Sequence, residues 1–235
     1  MTETTTENKL VAEAIGTFML TFIGAGTMVA GAVTASPDGA PLLTVAIAHG
    51  LALAIVVTAT MNISGGHINP AVTLGFIATK KIDPKLGGLY MVAQLAGAVA
   101  AGALLVSIFG DAFSATGGGT PMPNAALNMT GVEVILIEAV LTFLLLFVIW
   151  GTAVDPRAPS GIAGFCIGLM LTVGILMGGP LTGASLNPVR FLGTAIFTDG
   201  ALQHTMLYIV GPAIGAVLGS LVYQRFLLTN ADDED

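Results

Sequence analysis

The sequence predicts an all-α membrane protein with six transmembrane helices and two re-entrant half-helices, arranged as an inverted repeat. Three observations carry this prediction: a composition poor in charge, six long apolar runs, and two halves that match each other. Of the 235 residues, 54% are hydrophobic and 9% are charged. Soluble domains carry about 25% charged residues, so the charged residues of this chain are too few to cover a surface facing water.

Six apolar runs are long enough to cross a bilayer, because a helix needs about 20 residues to span roughly 30 Å of hydrocarbon. The runs lie at about 10–33, 42–63, 86–109, 131–153, 160–178 and 204–227. The first run has full length and no basic segment before it, so it does not resemble a cleaved signal peptide. We therefore expect a multi-pass integral membrane protein.

The basic residues predict the orientation of these spans. Six of the seven Lys and Arg residues fall on one side: Lys9, Lys80, Lys81, Lys85, Arg157 and Arg225. The positive-inside rule then places both termini in the cytoplasm, and we expect the plasma membrane as the location. Arg190 breaks the rule in an otherwise apolar segment, and a charge at membrane depth is a candidate functional residue.

An internal repeat relates the two halves, about 9–109 and 131–227, within one predicted domain of residues 1–235. The sequence EAIGTFMLTF from Glu13 returns as EAVLTFLLLF from Glu138, 125 residues later. The Asn-Pro pair at 69–70 returns at 187–188, 118 residues later. Because each half has three spans, the second half crosses the membrane in the opposite orientation to the first. Inverted repeats of this kind place a substrate path between the halves near the midplane.

Each Asn-Pro pair follows a glycine-containing segment and precedes a short apolar run. Asn69 and Asn187 suit the N-cap of a helix, and Pro70 and Pro188 suit its first position. The apolar residues after each proline are too few to cross the bilayer, so we expect two half-helices that meet at their N-termini.

The predicted geometry makes these segments the lining of a pore. Capping uses the Asn side-chain oxygens, so we expect each amide NH₂ to remain free to donate to a solute. The two helix N-termini add positive potential that disfavours cations. Carbonyl acceptors are expected along both segments, whose backbone is assigned to the pore wall: Gly65, Gly66, His67, Ile68, Gly183, Ser185 and Leu186.

The motifs HINPAVT (67–73) and SLNPVR (185–190), with EAIGTF and EAVLTF, resemble the aquaporin or major intrinsic protein family in its prokaryotic type. The resemblance covers nearly the whole chain. It implies one pore per subunit and a homotetramer in the lipid bilayer, with no enzyme activity, cofactor, metal or nucleic-acid partner. The second motif carries Val189 where the family usually has alanine, as at Ala71, and we expect this change to alter packing at the helix joint.

The resemblance also implies a selectivity filter of four residues: His49, Ile175, Ala184 and Arg190. His67 resembles a pore-lining histidine on the cytoplasmic side. A histidine in the second span with isoleucine in the fifth resembles the wide filters of plant tonoplast intrinsic proteins, which resemble channels for water and ammonia. The resemblance therefore implies a passive channel for water, with ammonia or other small neutral solutes, that excludes ions and protons. A glycerol or small-polyol facilitator is the alternative, although Phe191 follows Arg190 where glycerol facilitators usually have aspartate.

Glu13 and Glu138 are carboxylates in apolar spans, which is costly unless they are hydrogen-bonded. The resemblance implies that each accepts from backbone N–H groups of a re-entrant loop and supports it. Two other interpretations stay open: a proton-coupled transporter that uses these carboxylates with His49 and His67, and a junction protein with a nearly closed pore.

Overall fold

The computed structural model describes residues 4–34 and 40–228, and within them it is all-helical. The acidic C-terminal residues lie outside this range. The helices are α1 (Thr6–Thr34), α2 (Leu42–Thr60), α3 (Pro70–Ala78), α4 (Pro84–Phe109), α5 (Asp111–Ala115), α6 (Gly131–Ile149), α7 (Ala163–Thr182), α8 (Pro188–Ala195) and α9 (Thr205–Phe226). A π-helical turn, Trp150–Val154, extends α6, and short 3₁₀ turns cover Gly117–Gly119, Ala125–Leu127 and Ala201–His204.

Six helices of the described chain are long and apolar enough to cross a membrane, as the sequence predicts. With the π-helical turn counted in the fourth span, the predicted bounds agree within three residues except at two ends. The first span begins at Thr6 instead of residue 10, and the fifth ends at Thr182 instead of residue 178. Gly183 ends it in the left-handed conformation, with a φ of 80°. The amide and the side chain of Asn124 then bond to the carbonyls of Leu181 and Pro180, which satisfies the open end of the helix.

The repeat is visible in how the helices pack. Helix α4 packs on α1, and α9 packs on α6, through glycines at equivalent positions. A Cβ added to Gly97 would lie 2.0 Å from the carbonyl oxygen of Ala14, and one added to Gly215 would lie 2.0 Å from that of Ala139. Such close backbone contact is how helices associate in lipid, where apolar side chains gain little from leaving the solvent.

A charged cluster ties the loop after α6 to the end of α9. Arg157 donates to Asp155 from Nε at 2.9 Å and from Nη2 at 2.6 Å, and Nη2 also donates to the Leu227 carbonyl at 2.7 Å. The Tyr223 hydroxyl donates to Asp155 at 2.9 Å. These hydrogen bonds, those from Arg157 above all, hold the pKa of the Asp155 carboxyl well below its ordinary value.

We expect Asp155→Asn to lower the thermal unfolding midpoint at pH 7. A depressed pKa stabilises the fold fully above the pKa of the unfolded chain, about 3.9, and this contribution is lost as the pH falls toward the folded pKa. The difference between wild type and variant in detergent should therefore shrink below about pH 4. Asp199→Asn, at an exposed aspartate after α8, is the control. Equal midpoints for Asp155→Asn and wild type at pH 7 would contradict the assignment.

Candidate functional site

The half-helices α3 and α8 begin at the two Asn-Pro pairs. Asn69 caps α3, with its Oδ1 accepting from the Ala71 amide at 2.8 Å. Asn187 caps α8, with its Oδ1 accepting from the amides of Val189 at 3.1 Å and Arg190 at 3.3 Å. In both cases proline follows as the first helical residue. The local structure thus follows from the preference of Asn for the N-cap and of Pro for the next position.

The two asparagines also bond across the centre of the molecule. Asn69 Nδ2 donates to the Leu186 carbonyl at 2.8 Å, and Asn187 Nδ2 donates to the Ile68 carbonyl at 2.9 Å. The expectation that each NH₂ is wholly free is therefore wrong: one of its two hydrogens holds the opposite loop, and only the other can serve a solute.

The loops before the asparagines adopt left-handed backbone conformations that non-glycine residues rarely take. Ile68 has a φ of 55°, Ala184 of 48° and Leu186 of 51°. This conformation costs roughly 1–2 kcal/mol for an L-residue, and a β-branched side chain there is an outlier. In exchange, the amides of Ile68 and Leu186 reach a glutamate while their carbonyls reach the opposite asparagine. Such strain persists only where surrounding contacts enforce it.

Hydrogen bonds to the Glu13 carboxylate hold the first loop in its left-handed conformation. It accepts from the Ser64 hydroxyl at 2.6 Å, the His67 amide at 2.9 Å and the Ile68 amide at 2.7 Å. Gln94 Nε2 on α4 adds a fourth bond at 2.7 Å. All of these groups are buried, so the hydrogen bonds are made away from bulk water.

Glu138 holds the second loop in the same way with fewer partners. It accepts from the Thr182 hydroxyl at 2.7 Å and from the amides of Ser185 at 3.0 Å and Leu186 at 2.9 Å. The position equivalent to Gln94 under the 118-residue offset is Pro212, which has no side-chain donor.

Two tyrosines, which the sequence argument did not assign to the site, complete these clusters. Tyr90 donates to the Ser64 carbonyl at 2.8 Å, and Tyr208 donates to the Thr182 carbonyl at 2.5 Å. Each therefore holds the entry to one loop. The 118-residue offset between the two tyrosines was the signal that could have identified them as loop contacts.

A cavity of about 170 Å³ runs along both loops. Its lining includes Met61, Phe76 and Val154 as well as Arg190. Its volume suffices for several water molecules. Of the residues assigned to the pore from the sequence, the cavity is lined by Gly65, Gly66, His67, Asn69, Ser185, Leu186, Asn187 and Arg190.

The other assigned residues lie beside this cavity and do not line it. The Ile68 side chain packs against Gly16 on α1, where an added Cβ would lie 2.0 Å from its Cδ1. Ala71 and Val189 are buried at the starts of the half-helices, next to Pro70 and Pro188. Ile175 and Ala184 are buried in one apolar cluster, and Gly183 ends α7.

Arg190, which lines the cavity, is in direct contact with His49, which does not line it. The two side chains are 5% and 4% exposed. Arg190 Nη2 lies 3.0 Å from His49 Nε2, and Arg190 Nε donates to the same atom at 3.2 Å. His49 Nδ1 lies 2.8 Å from the Val45 carbonyl, which can only accept. The proton therefore sits on Nδ1, and the bare Nε2 of a neutral imidazole accepts from the guanidinium.

The sequence argument missed Gly119, whose carbonyl accepts from Arg190 Nη2 at 2.7 Å. This glycine lies in the loop before α6, and the run of three glycines at 117–119 was the only signal pointing to it. Within the described residues Arg190 Nη1 has no hydrogen-bond partner. Two of the three guanidinium nitrogens thus bond to the protein, and the third is buried without a partner in the described part of the chain.

The sequence model of the family described as "Major intrinsic protein" matches residues 1–223. The chain belongs to the major intrinsic protein family. Its resemblance to this family, predicted from the two Asn-Pro motifs, is confirmed. Members are channels and not enzymes, so this is a multi-pass membrane protein for the passive transport of water or small solutes.

The relatives in this family include several plant proteins. Aquaporin TIP4-4 of Zea mays is 40% identical over 229 residues, covering 96% of this chain and 88% of the relative. Nodulin-26 of Glycine max is 40% identical, covering 92% of this chain and 76% of the relative. Aquaporin TIP2-3 of Arabidopsis thaliana is 38% identical, covering 91% and 84%. The aquaglyceroporin structure from Plasmodium falciparum has a TM-score of 0.84 at 22% identity, covering 94% of this chain and 97% of that one. This likeness shows the aquaporin fold.

Proposed function

We propose that this member of the family is a bidirectional water channel that also passes ammonia and similarly small neutral solutes, while excluding ions and protons. The observation that supports this most is the cavity lined by Arg190 and by both asparagines. Its wall is mainly apolar, with Leu20, Val57 and Leu171 among the lining side chains. The few polar groups of the wall can replace most of the hydrogen bonds that a small neutral solute loses when it leaves water.

Exclusion of cations follows from fixed positive charge along the path. The half-helices α3 and α8 direct their N-termini at the cavity, and each contributes about half an elementary charge. Arg190 adds a full charge at one end, since a guanidinium stays protonated. The carboxylates of Glu13 and Glu138 face the loop amides and do not line the cavity, so they offer a cation no direct ligand. This arrangement supports a passive channel over proton coupling.

The proposed filter consists of His49, Ile175, Ala184 and Arg190, and its chemistry favours a broad choice of neutral solutes. His49 engages Arg190 and so draws the guanidinium toward α2. Ile175 and Ala184 do not line the cavity itself, and we propose that they form an apolar side of the filter next to it, where another filter would have a hydrogen-bonding side chain. We infer a filter that is less strict for water than one with polar groups at these positions. Glycerol or a small polyol remains the second candidate, supported by the same apolar surface.

Stopped-flow light scattering on reconstituted liposomes tests the proposal. Osmotic, ammonium and glycerol gradients are applied in turn, and a pH-sensitive dye inside the vesicles reports proton entry. We expect fast water and ammonia fluxes with no proton conductance. Water flux equal to that of empty vesicles would refute the water channel, and glycerol flux without ammonia flux would favour the second candidate.

We expect Ile175→His to lower the ratio of ammonia to water permeability by about tenfold, the effect of about 1.4 kcal/mol on a barrier. The imidazole adds a donor or acceptor for water and reduces the apolar width of the filter. Ile175→Val keeps the surface apolar and is the matched control, with a ratio near wild type. An unchanged ratio in Ile175→His would remove residue 175 from the filter.

The remaining parts of the proposal concern assembly and location. We propose a single channel domain over residues 1–235, a homotetramer in the bilayer, both termini in the cytoplasm, and the plasma membrane as the site. No cofactor, metal or nucleic acid is part of it. Cross-linking in native membranes tests the tetramer, and a reporter fused to the C-terminus tests the orientation.

A further inference from the structure

Thr73, on the first half-helix α3, has three hydrogen-bond partners for one buried hydroxyl group. Its Oγ1 lies 3.1 Å from the Asn69 carbonyl oxygen, 3.2 Å from Gln94 Nε2 and 3.0 Å from His67 Nδ1. A hydroxyl has one hydrogen to donate and two lone pairs that accept, so these three partners use its whole capacity. We refer to Thr73, Gln94 and His67, together with Glu13, which contacts Gln94, as the Thr73 network.

The direction of the bond between Gln94 and Thr73 is fixed by Glu13. Gln94 Nε2 lies 2.7 Å from Glu13 Oε2, which also accepts from the Ile68 amide. An ionised carboxylate only accepts, so the group of Gln94 that faces it is the NH₂ group and not the amide oxygen. The second hydrogen of this NH₂ group is then directed at Thr73 Oγ1. Thr73 therefore accepts from Gln94.

The two other contacts of Thr73 then have one consistent assignment. The Asn69 carbonyl can only accept, so the single hydroxyl hydrogen goes to it. The second lone pair of Oγ1 is left for His67 Nδ1, which must donate. If the hydroxyl donated to His67 instead, the oxygens of Thr73 and Asn69 would lie 3.1 Å apart with no hydrogen between them. The network therefore places the proton of a neutral His67 on Nδ1.

The other ring nitrogen of His67 is on the side of the solute. The imidazole lines the cavity, whereas Thr73 does not. A Cβ added to Gly65, another residue that lines the cavity, would lie 3.5 Å from His67 Nε2. Within the described residues the side chain of His67 makes its hydrogen bond through Nδ1 alone. Because the proton is on Nδ1, the Nε2 atom carries a lone pair and can only accept.

We infer that Thr73 is a positioning residue that holds His67 in the Nδ1–H tautomer, so that His67 offers the solute an acceptor and favours water over ammonia. Water donates hydrogen bonds readily, whereas ammonia is a strong acceptor and a poor donor. The reverse tautomer, with the proton on Nε2, would favour ammonia. The tautomer follows from the contacts of the Thr73 network, and its effect on selectivity rests on the proposed function.

Thr73→Val tests the inference, because valine is close to threonine in shape and has no hydroxyl. A proton on His67 Nδ1 would then be buried without a partner, so it should move to Nε2, where a solute can accept it. Thr73→Ser keeps the hydroxyl and is the conservative variant. Thr79→Val is the matched control: Thr79 is buried on the same helix, and its hydroxyl donates to the carbonyls of Gly75 and Phe76 in that helix.

The first readout is the tautomer of His67, measured from imidazole ¹⁵N chemical shifts by solid-state NMR in lipid, at a pH where the ring is neutral. The chain has three histidines, His49, His67 and His204, and the signals of His67 are those that His67→Asn removes. We expect a protonated Nδ1 and a bare Nε2 in wild type, Thr73→Ser and Thr79→Val, and the reverse in Thr73→Val. An Nε2–H tautomer in wild type, or an unchanged tautomer in Thr73→Val, would overturn the inference.

The second readout is the ratio of ammonia to water permeability in liposomes, with thermal midpoints recorded for each variant. We expect the ratio to rise on the order of threefold in Thr73→Val, within what one hydrogen bond can contribute. Thr73→Ser and Thr79→Val should stay near wild type. In a His67→Leu background Thr73→Val should have no further effect, because Thr73 acts through the imidazole.

The two readouts separate the parts of the inference. An equal rise of the ratio in both backgrounds, or a reversed tautomer with an unchanged ratio, would overturn the role of Thr73 in selectivity. A wild type without water or ammonia flux would instead refute the proposed function. The NMR result would still decide the tautomer in that case, because it does not depend on transport.

Discussion

Glu138→Ala should abolish water permeability and leave little folded protein. The carboxylate accepts from the Thr182 hydroxyl and the amides of Ser185 and Leu186. Each buried donor left without a partner costs about 1–3 kcal/mol, so three donors approach the whole stability of a typical domain, about 5–15 kcal/mol. The left-handed Leu186 also loses the bond that offsets its strain. The yield of monodisperse protein and its thermal midpoint in detergent measure the loss.

Glu133→Gln is the control for this experiment, because Glu133 lies on the same helix in an exposed capping box with Thr130. We expect it to cost about 1 kcal/mol or less. Glu138→Gln should fall between the two variants, since glutamine keeps one acceptor oxygen but turns an NH₂ group toward protein donors. A Glu138→Ala channel with the wild-type midpoint would show that the loop does not depend on this carboxylate.

Gly215→Ala should separate α9 from α6 and destabilise the channel by at least about 1–3 kcal/mol, the range for overpacked cores. The added Cβ would lie 2.0 Å from the Ala139 carbonyl oxygen, which is backbone and cannot rotate away. Because α3 packs on α9, the first half-helix should shift as well and water permeability should fall. Thermal unfolding and stopped-flow permeability on the same preparation measure both effects.

The matched control is Gly88→Ala, at an exposed helical glycine of α4 with open space around its Cβ. Alanine is a better helix former than glycine by about 0.8–1.0 kcal/mol, so this variant should gain stability. A loss of stability in Gly215→Ala together with a gain in Gly88→Ala would assign the effect at Gly215 to the close contact. Equal losses at both positions would assign it to the substitution in general.

The fold was predictable from the sequence because its determinants are periodic and local. Apolar length sets the number of spans, and the matched segments at Glu13 and Glu138 set the inverted repeat. The capping roles of Asn69 and Asn187 follow from side-chain chemistry that depends on neighbouring residues only. These features need no knowledge of distant contacts.

The site was predictable only in part, because its details depend on contacts between distant segments. The crossed bonds of the asparagine amides join residues more than 100 positions apart, and nothing local distinguishes a free NH₂ from a bonded one. Gly119 contacts Arg190 through its backbone carbonyl, a group that every residue has. The sequence therefore shows only a glycine that permits the turn and not the contact. Gln94 has no equivalent in the second half, so the repeat could not indicate its contact with Glu13.

The crossed asparagine bonds also have a consequence for how the protein is made. The bond from Asn69 needs the Leu186 carbonyl, 117 residues further along the chain. At about 5–20 residues per second, the ribosome takes roughly 6–23 s to supply it. During that interval the first three spans enter the membrane while the turn at Asn69 still lacks this hydrogen bond. The Asn69 amide therefore has no partner at this position until the second half has been synthesised and inserted, and a chain truncated before Leu186 leaves it unpaired.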